Sequence, residues 1–146
     1  MNTIKILSVL FGLCFISCSN HTKPTYEISG KNSKTIVSII DAVNEKNAEK
    51  YVLGFDQNVK VFVESEIKIH GRENLKANRT NHFKSHPNVI SEIQHLVEID
   101  DRVILHDKVW LDESDKVGQN IVEIFTFEND KIVRVDVIQP KNLFNR

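Results

Sequence analysis

His95 and His106 stand at equal distances from the dipeptide Asp100-Asp101, in a stretch of alternating apolar residues. If that dipeptide is a two-residue hairpin turn, residues equidistant from it face each other on antiparallel strands, and the two imidazoles pair across the hairpin. Ile93, Val97 and Ile99 then share their face on one strand, with Ile104 and Trp110 on the other. Imidazole titrates near neutral pH and ligates metals, so such a pair in an apolar stripe is equipped for acid–base work or for two metal bonds. The same pair is also compatible with capping a water-filled polar cavity, or with an outward-facing stripe. No third ligand is set by the spacing, and no metal is assigned.

Other candidate groups carry less. His82 and His86 are four apart, on one face of a helix, but Asn78, Arg79, Asn81 and Lys84 surround them and the pattern reads as a solvated face. His70 precedes Gly71 in a loop, and His21 lies in a polar N-terminal stretch. Asp107 follows His106 directly and points to the opposite face of a strand, which excludes a dyad between them. Asp112, Glu113 and Asp115 cluster around a turn as solvated charge. Serine-nucleophile motifs, glycine-rich phosphate loops and paired CxxC signatures do not occur, and no cofactor is implied.

Several elements must position these residues. Ile36, Ile39, Ile40 and Val43 recur at helical spacing, with Ser33 expected as N-cap. A short helix is expected from Ala48 to Phe55, and Val59, Val61 and Val63 alternate as a strand. Arg72 to Ser85 reads as a polar helix closed by Pro87. Four strands follow over Val89 to Ile99, Arg102 to Asp112, Val117 to Phe127 and Lys131 to Gln139. Helices first and long antiparallel strands afterwards predict an α+β domain whose helices cover one face of a curved sheet.

The N-terminus addresses the chain rather than folding it. Met1 to Lys5 is a short positive start, and Ile6 to Ile16 an apolar run broken only by Ser8 and Gly12. That run has about eleven residues, where roughly twenty are needed to span a bilayer as a helix, so residues 1–17 read as a signal peptide. The sequence "FISC" resembles the lipobox of bacterial lipoproteins, with Phe15 where leucine is usual, and makes Cys18 the lipidated mature N-terminus. Residues 18–31 are polar, contain Pro24 and Gly30, and read as a tether; residues 32–146 form the domain. Cys14 lies in the signal, so the mature chain has no disulfide partner for Cys18. The formal net charge of −1 becomes about two negative once Lys5 leaves. That balance disfavours nucleic acid as a partner and supplies no polybasic membrane patch.

The stretches "TIVSIIDAVNEKNAEKYVLGFDQNVKVFVE", "KIHGRENLKANRTNHF" and "IVEIFTFENDKIVRVDVI" resemble the SnoaL-like and ketosteroid-isomerase-like branch of the nuclear transport factor 2-like superfamily, over Thr35 to Gln139. The resemblance implies a cone-shaped fold with helices on a strongly bent, mostly antiparallel sheet, enclosing an elongated pocket, and dimerisation through the outer sheet face. It does not fix the chemistry, because the superfamily hosts isomerases, dehydratases, hydrolases, cyclases and non-catalytic binders. In the isomerase pattern the catalytic tyrosine falls at Ile39 and the general base at Phe62 or Val63, neither of which moves a proton. Only the second oxyanion-site acid has a counterpart, Glu123, so the usual isomerase mechanism is disfavoured.

If the family match also places Ile121 and Phe125 on the side of Glu123, that acid joins His95 and His106 in the cone, where Ile39, Ile104, Trp110 and Phe125 are expected to line the pocket. The opposite sheet face would carry Val103, Leu105, Val109, Leu111, Val122 and Ile124, an apolar surface expected to be covered by a second copy. The expectation is therefore a periplasmic domain, lipid-anchored to a membrane, holding a small and mainly apolar molecule without catalysis. The alternatives are an isomerase, lyase or hydrolase using His95, His106 and Glu123, or an interaction module using the outer sheet face.

Overall fold

The computed structural model describes residue 28 and residues 30–141; the signal peptide, Cys18 and most of the expected tether lie outside them. Helix α1 (Lys31–Asn44) is followed by α2 (Ala48–Val52), strands β1 (Phe55–Val63) and β2 (Glu66–His70), and helix α3 (Arg72–Ser85). Strands β3 (Ile90–Ile99), β4 (Arg102–Trp110), β5 (Gln119–Glu128) and β6 (Lys131–Ile138) complete the domain. All six strands form one sheet in the order β2-β1-β6-β5-β4-β3. Only the β1–β6 pair is parallel, which gives the expected α+β architecture.

Ser33 is not the N-cap of α1. The helix begins at Lys31 after an extended Gly30, and its free N–H groups are capped from across the fold. The Glu98 carboxylate on β3 accepts from the Ser33 backbone N–H at 2.8 Å and from Ser33 Oγ at 2.6 Å. A carboxylate at this end also meets the positive pole of the helix dipole. Burial acts to raise the proton affinity of Glu98, but the bonds from Ser33 outweigh it and hold the carboxyl below the ordinary range. A Cβ on Gly30 would overlap the Glu98 carboxylate, so the cap requires glycine there.

Helix α2 stops at Val52, short of the expected Phe55, because Phe55 opens β1. Asn47 caps its start by accepting from the Lys50 N–H at 2.9 Å, and the Gly54 carbonyl at its far side accepts from Ile132 N–H on β6. Strand β2 was not expected. It returns through Glu64 and Ser65, both at positive φ, without the asparagine or glycine that usually marks such a turn.

The core lies between the helices and the concave sheet face. Ile36, Phe55, Val59, Val103, Leu105, Phe125 and Ile132 are almost fully buried there. Val103, Leu105 and Val109 thus face inward, the reverse of the sequence expectation. Among the described residues no helix is long and apolar enough to cross a membrane.

Candidate functional site

The β3–β4 register pairs His95 with His106 as the turn predicts, with Nδ1 atoms 3.0 Å apart and rings nearly parallel. The pair nevertheless faces away from the core. Inward positions on β4 are Val103, Leu105, Asp107 and Val109; Ile104, His106, Lys108 and Trp110 point outward. His106 Nε2 bonds Asn120 Oδ1 at 3.0 Å, on that same outer face.

The reason lies partly in a bulge. Between Ile93 and His95 the register shifts, so the extra residue Gln94 sends Ser91 and Ile93 inward while His95, Val97 and Ile99 turn outward. Strict alternation had put Ile93 and His95 on one side. The expected convergence of His95, His106 and Glu123 therefore does not form, and Ile104 and Trp110 do not line the interior. Ile39 does line the cavity. Phe125 points inward too, where it is fully buried in the core.

Inside the cone is a cavity of about 380 Å³. Ile39, Ile40 and Val43 from α1, Val61 and Val63 from β1 and Val135 and Val137 from β6 give it apolar walls. Its polar groups come from α2, α3 and strands β2, β3, β4 and β5, with Gln139 following β6. On α3, Leu75, Asn78, Arg79 and His82 follow one another at helical spacing and all border the cavity. The expected solvated face is thus, in part, a cavity wall. Burial first, then the Arg79 and His86 charges, push the His82 imidazole down to about 4, so it is neutral at physiological pH. The Arg79 guanidinium lies 5.7 Å from the centre of the Tyr51 ring, which in turn stacks on Phe55. Burial raises the proton affinity of the Tyr51 phenol, and Glu123 and Asp107 add to it against Arg79.

Two acids occupy the sheet side of this cavity. Glu123 stands opposite Leu105, and Asp107 opposite Ile121, so the carboxyls are diagonal neighbours on β5 and β4. Asp107 is 3% exposed, and its Oδ2 accepts from Ser91 Oγ at 2.6 Å. Ser91 is itself pinned: its N–H donates to Asn44 Oδ1 at 2.8 Å and its carbonyl accepts from Asn44 Nδ2 at 2.9 Å. Desolvation pushes the Asp107 carboxyl up to about 6, against the opposing Ser91 bond. Glu123 is pushed up to about 8, by desolvation first and by the Asp107 charge next, with Arg79 opposing. Glu123 is among the residues that line the cavity. At neutral pH Asp107 is therefore mostly ionised and Glu123 mostly protonated. Among the described residues no group of three or more His, Cys, Asp or Glu side chains is disposed to hold a metal.

Asp107, Ser91, Arg79 and Tyr51 were missed as site residues. The one available signal was phase: with Glu123 inward, the β4–β5 register puts the odd-numbered β4 residues, Asp107 included, on the same side.

Solved structures with the same architecture are numerous. An NTF2-like protein of unknown function from Cytophaga hutchinsonii superposes with a TM-score of 0.64 at 11% identity, covering 79% of this chain and 95% of that one. A SnoaL-like protein from Burkholderia thailandensis gives 0.65 at 16% identity, over 75% and 93% of the two chains. The chain has the nuclear transport factor 2-like fold. An uncharacterised cystatin-fold protein from Novosphingobium aromaticivorans is similar as well, with a TM-score of 0.66, 21% identity and coverage of 73% and 97%. No family model and no curated protein sequence matches the chain. At these identities the likeness is one of fold, and the chemistry of this NTF2-like cone rests on its own residues.

Proposed function

We propose that the chain is a lipid-anchored protein of the bacterial envelope whose cone binds a small, mainly apolar molecule in the periplasm without transforming it. The cavity carries this reading. Its volume of about 380 Å³ and its aliphatic walls with convergent polar groups match the form of small-molecule sites. The signal-like residues 1–17 and the lipobox-like residues ending at Cys18 support the anchor, since acylation with more than one chain gives stable attachment. The exposed Val97, Ile99, Ile104 and Ile138 support a homodimer through the outer sheet face, which a monomeric mass by light scattering at micromolar concentration would remove.

The binding reading is tested by filling the cavity. Ile39→Trp places an indole where α1 lines it, and uptake of a neutral apolar dye is expected to fall at least tenfold. Equal uptake by a folded Ile39→Trp protein would contradict the reading.

One observation favours a second reading, acid–base catalysis on the bound molecule. Asp107, at about 6, is ready to accept a proton while Glu123, at about 8, still holds one. Such separated affinities are how paired carboxyls divide base and acid roles. His95 and His106, on the outer face, take no part in it. Turnover of the bound molecule, lost in Asp107→Asn with binding retained, would select this reading over simple binding.

A further inference from the structure

Asp107 is built into the cavity wall more rigidly than a passive lining residue requires. Asp107 is 3% exposed, and Ser91, clamped by two bonds to Asn44, fixes Oδ2. The other oxygen, Oδ1, is buried and has no hydrogen-bond partner among the described residues. Leaving an acceptor of a charged group dry and unpaired is costly, and folded proteins rarely do so without a use. The neighbouring acid Glu123 adds negative potential whenever it ionises, and Arg79 acts on Glu123 and Tyr51 rather than on Asp107.

We infer that the molecule held in the cavity presents a hydrogen-bond-donating head, a hydroxyl or an amine, to the Asp107 carboxylate that borders it, with its apolar body against the aliphatic walls. This rests on the binding reading above and narrows it to a ligand class. A hydroxyl donates one bond to the carboxylate. A protonated amine donates that bond and also offsets the buried negative charge. A carboxylate head meets like charge at Asp107, and an ether has no proton to give.

Four cage compounds of one shape separate these cases: 1-adamantanol, 1-adamantylamine, 1-methoxyadamantane and 1-adamantanecarboxylate, each titrated calorimetrically into the full chain at neutral pH. The alcohol or the amine is expected to bind about tenfold or more tightly than the ether and the carboxylate, the fold-change of one hydrogen bond to a charged group. The better of the two names the head. In Asp107→Leu that advantage should disappear while the ether still binds. Binding without head preference, or tightest binding by the carboxylate, overturns the inference and leaves the cavity reading standing. No binding by any of the four to the wild-type chain counts against the cavity reading itself. Should Asp107→Leu fail to fold, the wild-type ranking alone decides.

Discussion

Replacing Glu123 by glutamine exposes the electrostatic strain of the cavity directly. Folding raises the proton affinity of this carboxyl from 4.5 to about 8. The native state therefore holds the proton where the unfolded chain has released it, and stability falls as pH rises through that window. The slope is roughly 1.4 kcal/mol per pH unit, so the full shift would cost about 3 kcal/mol by pH 7. Contact of the carboxyl with the cavity space and its interaction with Asp107 reduce this to roughly 1–3 kcal/mol. Glutamine keeps the shape and cannot ionise. Urea unfolding of wild type and Glu123→Gln at pH 5, 6, 7 and 8 should give curves that lie close at pH 5 and diverge steadily above it. The variant should be the more stable by that amount at pH 7, and by more at pH 8. A constant offset between the two proteins across the whole range would refute a buried, protonated Glu123.

Glu98→Ala removes the cap of α1 and should cost about 1 kcal/mol near neutral pH. Because folding lowers the proton affinity of Glu98, its contribution is lost as pH falls below 4.5, and the two unfolding curves should converge in acid. Ser91→Ala removes the bond that opposes desolvation of Asp107, so carboxyl NMR should find that group titrating above about 6. Joint replacement of His95 and His106 by alanine should leave dye uptake within twofold of wild type, because both rings are outside the cone. Cys18→Ala should release the protein from the membrane fraction, as read by fractionation and blotting; a processed variant that stays on the membrane would remove the anchor.

The architecture was legible because its signals are local. The apolar spacing in α1, the bounds of α3 and the four later strands follow from periodicity and turn residues, and the Asp100-Asp101 turn set the His95–His106 pairing correctly. Which way β3 and β4 face was not legible, although Ile121, Glu123 and Phe125 on β5 do face inward as expected. Both faces of β4 are apolar, with Val103, Leu105 and Val109 on one side and Ile104 and Trp110 on the other, so hydrophobicity cannot choose between them. The bulge at Gln94 has no composition signal, and it reverses Ile93 relative to His95. Asp107 was set aside because it points away from His106, and the face assigned to the cavity was that of the histidines rather than its own. The polar stripe of α3 misled as well, since a helix can turn Arg79 and His82 toward a cavity as readily as toward water. The cap on α1 was missed because its acceptor, Glu98, lies far along the chain.

Native mass spectrometry of the chain purified from its own envelope tests the central claim most directly. The account expects a non-covalent mass excess beyond the acylated polypeptide, lost on denaturation and recovered as a small, mainly apolar compound, and absent from Ile39→Trp. A mass equal to the acylated polypeptide in every preparation, with no uptake of an added apolar probe, would contradict it.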